Sequence, residues 1–291
     1  MDKFYVISNN GKSGSRKLAQ YVRDYLVTRG CRCKLDSGVY AEAADDHEWF
    51  RYTNPQAVPD DTQAILVIGG DGTMLQAARD LRYKGIPMMG INRGTLGYLA
   101  EVDSDNVEYA LDCLMDDQYT VEERMLLYGE VKKTDGTLVT SDHALNDIVL
   151  SRSSGLDVND FNIYVDGVLL NKYVADGIII ATPTGSTAYN LSAGGPIVDP
   201  KAFSILLTPI SPHSLNKRSI VLDADSLIIV EVVKRTDKRF IPVQLCYDGN
   251  GAGLMEAGDR ILIHKAAERA SILKIKHISF METVRKKMSE R

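Results

Sequence analysis

Ile65-Leu66-Val67-Ile68-Gly69-Gly70-Asp71-Gly72-Thr73-Met74-Leu75 decides how the first half of the chain is read. Four apolar residues run into two glycines, an aspartate, a third glycine and a threonine. A helical pattern starts at about Met74, with Leu75, Ala78, Arg79 and Arg82 three and four residues apart. This is the pattern of a buried parallel strand, an abrupt turn, and a helix starting over the strand's carboxyl end. Glycines without Cβ atoms let a ligand approach the main chain, and N–H groups near a helix start favour anions. Asp71 places one carboxylate amid those glycines. Two readings fit: a phosphate cradle that carries its own base, or an ordinary βα turn.

The 291 residues suffice for two domains, and 44% apolar with 25% charged residues is the composition of a globular protein. A net charge of −5 supplies no basic field for nucleic acid or an anionic membrane. No apolar run reaches the roughly 18 residues of a membrane span. Met1-Asp2-Lys3 leads directly into strand-like Phe4-Tyr5-Val6-Ile7 without a signal-peptide pattern. Cys31, Cys33, Cys113 and Cys246 form no Cys-x-x-Cys pair, and Cys31 and Cys33 read as free thiols. A cytoplasmic enzyme or binding protein fits these features.

Phe4–Ile7 reads as the first strand, followed by Asn9-Asn10-Gly11-Lys12-Ser13-Gly14-Ser15. A Walker A loop needs a glycine where Val6 stands, so a plain βα loop with some phosphate contact is preferred. A helix capped by Ser15 and a short strand, Cys31–Leu35, come next; the polar stretch 36–61, with the lone Trp49, has little pattern. After Gly85-Ile86-Pro87, Met88–Asn92 is another strand, and Arg93-Gly94-Thr95-Leu96-Gly97-Tyr98-Leu99 a second glycine-rich turn. Ligands in open α/β sheets bind where such strand-end loops diverge. Val107–Met115 closes an α/β domain.

From Arg124 onward the rhythm changes to short strands: Leu126–Val131, Ala144–Leu150, Asn162–Val165, Gly177–Ala181, Ser219–Leu222, Leu227–Val233, Ile241–Cys246 and Arg260–His264. Asp135-Gly136, Asp166-Gly167 and Asp248-Gly249 punctuate them, and Asp166-Gly167 is a strong hairpin signal. The expected fold is an α/β, Rossmann-like domain over 1–123 and a β-rich, sandwich-like domain over 124–271. A helical tail within 272–291, with Phe280, Val284 and Met288 at helical spacing, packs back on the first domain.

The second domain carries its own chemistry. Asp176-Gly177-Ile178-Ile179-Ile180-Ala181-Thr182-Pro183-Thr184-Gly185-Ser186-Thr187-Ala188-Tyr189 ends in small hydroxyl residues and a tyrosine. These suit ribose and amide groups and a stacked base, and equally a loop that caps the next element. Asn146-Asp147 interrupts an apolar strand, either at a sheet edge or as a clamp for vicinal hydroxyls. His213 reads as a structural hydrogen-bonder; no zinc spacing and no nucleophile elbow is present.

Together these segments resemble the NAD kinase family over about residues 3–288, most weakly over 36–61. Gly69-Gly70-Asp71-Gly72-Thr73 is similar to its phosphate-binding signature, which diacylglycerol kinases and phosphofructokinases share. The block Thr182-Pro183-Thr184-Gly185-Ser186-Thr187-Ala188-Tyr189 is what singles out the family. Gly90-Ile91-Asn92 through Leu99, Asn146-Asp147, Pro212-His213 and Asp248-Gly249 follow in the family's order. The resemblance implies transfer of a phosphoryl from ATP, or polyphosphate, to the 2′-hydroxyl of NAD's adenosine ribose, giving NADP. It implies Mg²⁺ brought in with ATP, and a homo-oligomer, a dimer or tetramer. By this carry-over Asp71 is the proton acceptor, and Gly69, Gly70, Gly72 and Thr73 hold phosphate. Asp71, Gly72, Asn92, Tyr98, Asn146, Asp147, Val174, Asp176, Thr184, Thr187, Ala188, Tyr189, Asn190, Ser192, Ser211 and Asp248 line the NAD site. Asn146 and Asp147 hold ribose hydroxyls, and Asp176 and Ser211 reach NAD across a subunit boundary. Asp147 departs from the Glu of many members. Two other readings stay open: a lipid or sugar kinase with the same signature, and a non-catalytic NAD(H) sensor.

Overall fold

The computed structural model describes residues 1–9, 14–36, 53–92, 97–100, 102–154, 158–213, 217–234, 240–275 and 279–289. The Gly11-Lys12-Ser13 triplet, Trp49 and the 93–96 part of the second glycine turn lie outside them. The chain divides into two compact units, Met1–Arg124 with Glu268–Arg291, and Met125–Ala267.

The first unit runs β1 (Lys3–Ser8), α1 (Ser15–Thr28), β2 (Arg32–Leu35), β3 (Ala64–Ile68), α2 (Asp71–Asp80), β4 (Met88–Asn92), β5 (Val102–Asp103) and α3 (Val107–Met115). Its strands are parallel in the order β2-β1-β3-β4, and β5 pairs with the end of β4. Every residue of β3 and β4 is buried, because helices cover both faces, and this explains their unbroken apolar sequence. Ala64, Leu66 and Ile68 join Ala19, Val22 and Leu26 of α1 and Ala110, Leu111 and Leu114 of α3 in one core. Ile65 and Val67, equally buried, face the opposite side of the sheet, where α2 touches β3 and β4. This core also takes in Leu273 and Ile275, far along the chain.

The helix after β3 starts three residues earlier than its apolar spacing suggests, at Asp71, so the carboxylate stands in its first turn. It ends at Asp80, and Leu81–Lys84 is a turn rather than helix.

The second unit takes up the chain on β6 (Thr120–Lys132), which begins in unit 1. It continues with β7 (Leu138–Ala144), β8 (Asp147–Arg152), β9 (Asn159–Val165), β10 (Val168–Ala175), β11 (Gly177–Ala181), α4 (Tyr189–Ser192), β12 (Ser204–Ile210), β13 (Ile220–Asp223), β14 (Ile228–Val233), β15 (Val243–Tyr247), β16 (Asn250–Met255) and β17 (Arg260–Lys274). One antiparallel sheet has the order β13-β12-β11-β8-β15-β16. In the other layer β10, β9, β14 and the first part of β17 are antiparallel neighbours. Between the layers lies a single core. Ile148, Leu150, Ile178, Ile180 and Tyr247 enter it from the first sheet, and Phe161, Ile163, Val230 and Ile263 from the second. Alternate residues Val149, Ile179 and Ala181 turn to the first sheet's other face and bury there with Leu206. This is a β-sandwich.

Asp166-Gly167 closes the β9–β10 hairpin with both residues at positive φ, 51° and 81°, as its sequence requires. The apolar run 144–150, which reads as one strand, is two: the chain bends at Leu145-Asn146 between β7 and β8. Strands β12 and β16 have no counterpart among the strands read from sequence. Pro209 disguises the first and Gly251 with Gly253 the second. Pro209 lies beyond Leu207↔Ile220, the last pair that β12 makes with β13, and opposite Ile178 of β11. After β17 the tail forms a helix, α5 (Phe280–Ser289), none of whose residues is buried; unit 1 holds the tail through Leu273 and Ile275. Cys31, Cys33, Cys113 and Cys246 are all free thiols.

Phe161 is fully buried at the centre of the sandwich. Phe161→Ala is expected to cost about 3–5 kcal/mol. Urea unfolding followed by circular dichroism measures it, and a loss under about 1 kcal/mol would mean that the site collapses around the gap.

Two candidate site clusters

The unit 1 cluster sits at the carboxyl ends of β3 and β4. Gly69 N–H donates to Ile91 O at 3.0 Å, which ties the two strand ends together. A Cβ on Gly69 would lie 2.3 Å from Thr73 Oγ1, so only glycine fits under the first helical turn. Thr73 is buried, and its hydroxyl meets Asn9 Nδ2 at 3.5 Å, at the end of β1. Gly72 differs: it is exposed, and a Cβ there would meet no protein atom within 4 Å. Packing does not demand glycine at that position. Its bare backbone is exposed at the positive end of α2.

Asp71 is held by the second glycine turn. Its Oδ2 accepts from Tyr98 N–H at 2.8 Å, and its Oδ1 from Leu99 and Ala100 N–H at 3.1 and 3.2 Å. Gly97 packs against the carboxylate so closely that a Cβ would stand 2.0 Å from Oδ1. A carboxylate has about four lone-pair positions. Three are taken here, which leaves about one, in a defined direction, for another donor. Tyr98 is half-buried beside this group; burial, then the Asp71 charge, pushes its phenol above the ordinary range. Asn92, at the end of β4, is buried.

The larger cluster of unit 2 gathers around the bend between β7 and β8. Asp248 Oδ2 accepts from Leu145 N–H at 2.8 Å, and Oδ1 from Asn146 and Asp147 N–H at 2.7 and 3.2 Å. Thr182, just past β11, donates its hydroxyl to Leu145 O at 2.5 Å and its N–H to Asn146 O at 2.8 Å. Gly185 lies flat on the same bend, where a Cβ would stand 2.1 Å from Asn146 O. Asn146, Asp147, Asp248 and the segment 182–189 are thus one packed group. Asp147 is buried. Its desolvation, and next the Asp248 charge, pushes its carboxyl up to about 7.

Within the hydroxyl-rich segment the roles divide. Ser186 is spent on Val198, donating to its O at 3.1 Å and accepting from its N–H at 3.0 Å. Thr187 donates to Thr184 O at 3.3 Å. The buried Thr184 hydroxyl alone has no protein partner, which marks it as able to meet a ligand. Tyr189 and Ser192 are exposed on α4, and Ala188 is half-buried. Asn190 is fully buried, and its amide bonds Ser186 O, Pro196 O and the Thr208 hydroxyl. It braces the Gly194-Gly195 passage, where a Cβ on Gly195 would lie 2.2 Å from Asn190 Oδ1.

Val174, Asp176 and Ser211 lie elsewhere. Val174 and Asp176 stand before β11 and Ser211 just after β12, beside the same end of β11, because Gly177 pairs with Ile210; Thr184–Tyr189 follow the other end, and from Asp176 to Thr182 the chain advances about 20 Å along the strand. Here Asp176 N–H donates to Ile210 O at 3.0 Å, and Val174 O accepts His213 N–H at 2.8 Å. Ser211 is exposed, with φ 43°. Arg152, a residue no motif signals, pairs with Asp176 Oδ1 at 3.3 Å. Gly97, by contrast, lay in a turn whose glycine content drew notice, although its contact with Asp71 is visible only in three dimensions.

Comparison with known proteins agrees with this layout. Residues 4–119 match the ATP-NAD kinase N-terminal domain and residues 145–275 the ATP-NAD kinase C-terminal domain. The chain is 44% identical to the NAD kinase of Agathobacter rectalis over 99% of both chains, and 39% identical to that of Lachnospira eligens over 99% of this chain and 100% of the other. Among solved structures, yeast NADH kinase complexed with NADH superposes with a TM-score of 0.85 at 24% identity, over 100% of this chain and 88% of that one. An NAD kinase from Archaeoglobus fulgidus in complex with ATP gives 0.72 at 23% identity, over 94% of each. The two solved structures speak for the fold; the full-length relatives at 39% and 44% identity speak for the family. This chain belongs to the NAD kinase family.

Proposed function

We propose that this protein transfers the terminal phosphoryl group of ATP to the 2′-hydroxyl of the adenosine ribose of NAD, giving NADP. The observation that carries this reading is Asp71: one carboxylate in the first turn of α2, held on three sides by backbone N–H groups, beside the bare backbone of Gly72. As the ribose oxygen bonds to phosphorus, the bond from phosphorus to the bridging oxygen breaks and ADP leaves. The hydroxyl proton passes to Asp71. A positioned base of this kind supplies roughly 10²–10⁴-fold.

Gly69, Gly70, Gly72 and Thr73 take the phosphate side of the reaction in this reading, because the helix start favours anions. Mg²⁺ enters as part of the donor and offsets phosphate charge. Asn146, Asp147, Thr184, Thr187, Ala188 and Tyr189 take the NAD side, with the unpartnered Thr184 hydroxyl facing the substrate.

Val174, Asp176 and Ser211 stand a strand's length away from that group. We assign them to the site of a neighbouring protomer, and this supports a homo-oligomer, a dimer or tetramer. Polyphosphate is a second candidate donor. Among the described residues no helix is long and apolar enough to cross a membrane. The four free thiols suit a reducing compartment, and the cytoplasm is the proposed location.

Purified protein given ATP, Mg²⁺ and NAD, coupled to an NADP-specific dehydrogenase, is expected to form NADP. ATP consumption on another hydroxyl acceptor without NADP would favour a lipid or sugar kinase, and NAD binding without turnover a sensor. Asp71→Asn is expected to keep NAD binding, by calorimetry, while turnover falls by about two orders of magnitude or more. Near-normal NADP formation would remove Asp71 as the base. In Gly97→Ala the methyl group cannot coexist with the carboxylate where it stands, so turnover should fall about 10²-fold with an unchanged circular dichroism spectrum. Full activity would show that the base tolerates displacement.

A further inference from the structure

The bend between β7 and β8 leaves Leu145, Asn146 and Asp147 with three successive N–H groups, and one side chain collects them all. The grip is reciprocal, because Asp248 N–H donates to Asp147 O at 2.9 Å. Asp248 and Gly249 form the two-residue turn of the β15–β16 hairpin, at φ 49° and 78°. Asn is as much at home as Asp in such a turn. Turn geometry alone therefore does not call for an acid. The hydrogen bonds do: both carboxylate oxygens accept, so whichever way an Asn amide were turned, its NH₂ would meet a backbone N–H.

Resting on the NAD kinase reading, we propose that Asp248 is a positioning residue. Its carboxylate holds the bend that presents Asn146 and Asp147 to the ribose, and it does not itself touch NAD. Both of its carboxylate oxygens are bound to the backbone of the bend, and the residue itself sits in the β15–β16 turn.

Asp248 has a second effect through its charge. Asp147 pairs with Ala181 of β11, a strand that brings only Gly, Ile and Ala alongside. From β15 it is faced by the Cys246 thiol, which Asp147 helps to push up, and from the turn beyond by Asp248. On β8 itself its neighbours Ile148, Val149 and Leu150 carry no charge. Asp248 is thus the charged group that acts on Asp147 most directly. As a carboxylate, Asp147 accepts hydrogen bonds from ribose hydroxyls; once protonated it loses part of that capacity. NAD affinity should therefore fall as pH drops through about 7. Removing the Asp248 charge lowers the pKa of Asp147 and moves this fall to lower pH.

The test compares wild type, D248N and D248E in NADP formation across pH, and in amide hydrogen exchange without NAD. D248N is expected to raise KM for NAD roughly tenfold on the alkaline plateau, with kcat within about threefold of wild type. The acid limb of kcat/KM should shift down by about one pH unit. Exchange at Leu145, Asn146 and Asp147 should speed up about tenfold or more, with Val149 and Leu150 unchanged. D248E keeps the charge on a longer arm, so it should restore the acid limb but not KM. An unchanged KM, or a limb that stays in place, overturns the proposal, since a merely structural turn residue would not move the limb. Should D248N fail to fold, the wild type decides alone: rapid exchange at all three amides would mean that the clamp does not exist. Absence of NADP from the wild type would sink the kinase reading by itself, and exchange together with calorimetric NAD titration of D248N would still judge Asp248.

Discussion

One arrangement recurs in this chain: a single carboxylate collecting the N–H groups of three consecutive residues. Asp71 collects Tyr98, Leu99 and Ala100, and Asp248 collects Leu145, Asn146 and Asp147. Hydrogen bonds to an ionised acceptor are about twice as strong as neutral ones, and three of them fix the acid and the loop together. In each unit the rest of the candidate site is arranged around that bond set. Gly97 and Gly185 can approach these groups so closely because they carry no Cβ.

The two layers behind these loops supply the rigidity. In unit 1 β3 and β4 are buried on both faces, so the loops at their carboxyl ends grow from elements with almost no room to shift. In unit 2 the sandwich leaves one face of its first sheet for the 182–198 segment, whose own amides and hydroxyls are largely consumed in holding it there. What remains for chemistry is small: an unpartnered Thr184 hydroxyl, the Asn146–Asp147 pair and the exposed Tyr189.

Local patterns carried much of the fold. The strand–glycine–helix stretch at 65–75 and the Asp166-Gly167 hairpin were legible because one dihedral preference or one periodicity settles each. The bend at Leu145-Asn146 was not, since its cause is a carboxylate about a hundred positions away. Strands β12 and β16 hid behind Pro209 and two glycines, the latter beside a bulge at Leu245/Cys246. At the candidate site, residue types pointed to phosphate and ribose chemistry, but not to which side chains face inward. Asn190 follows the hydroxyl-rich segment and bonds protein groups from both ends of its amide, whereas Arg152 lies in no motif and grips Asp176.

Leu273 and Ile275 belong to the core of unit 1 yet follow the whole of unit 2 in the chain. On the ribosome, domains generally fold as they emerge, the N-terminal one first. Here that order is blocked. Through the synthesis of some 140 intervening residues, unit 1 waits with part of its core unfilled and the strand position beside Met88 vacant. The sandwich can complete itself first, and the unit that carries Asp71 closes only when the end of β17 arrives. Nascent chains of this protein thus complete the core behind Asp71 only after the second unit has been made, and until then an open parallel edge needs shielding from its neighbours.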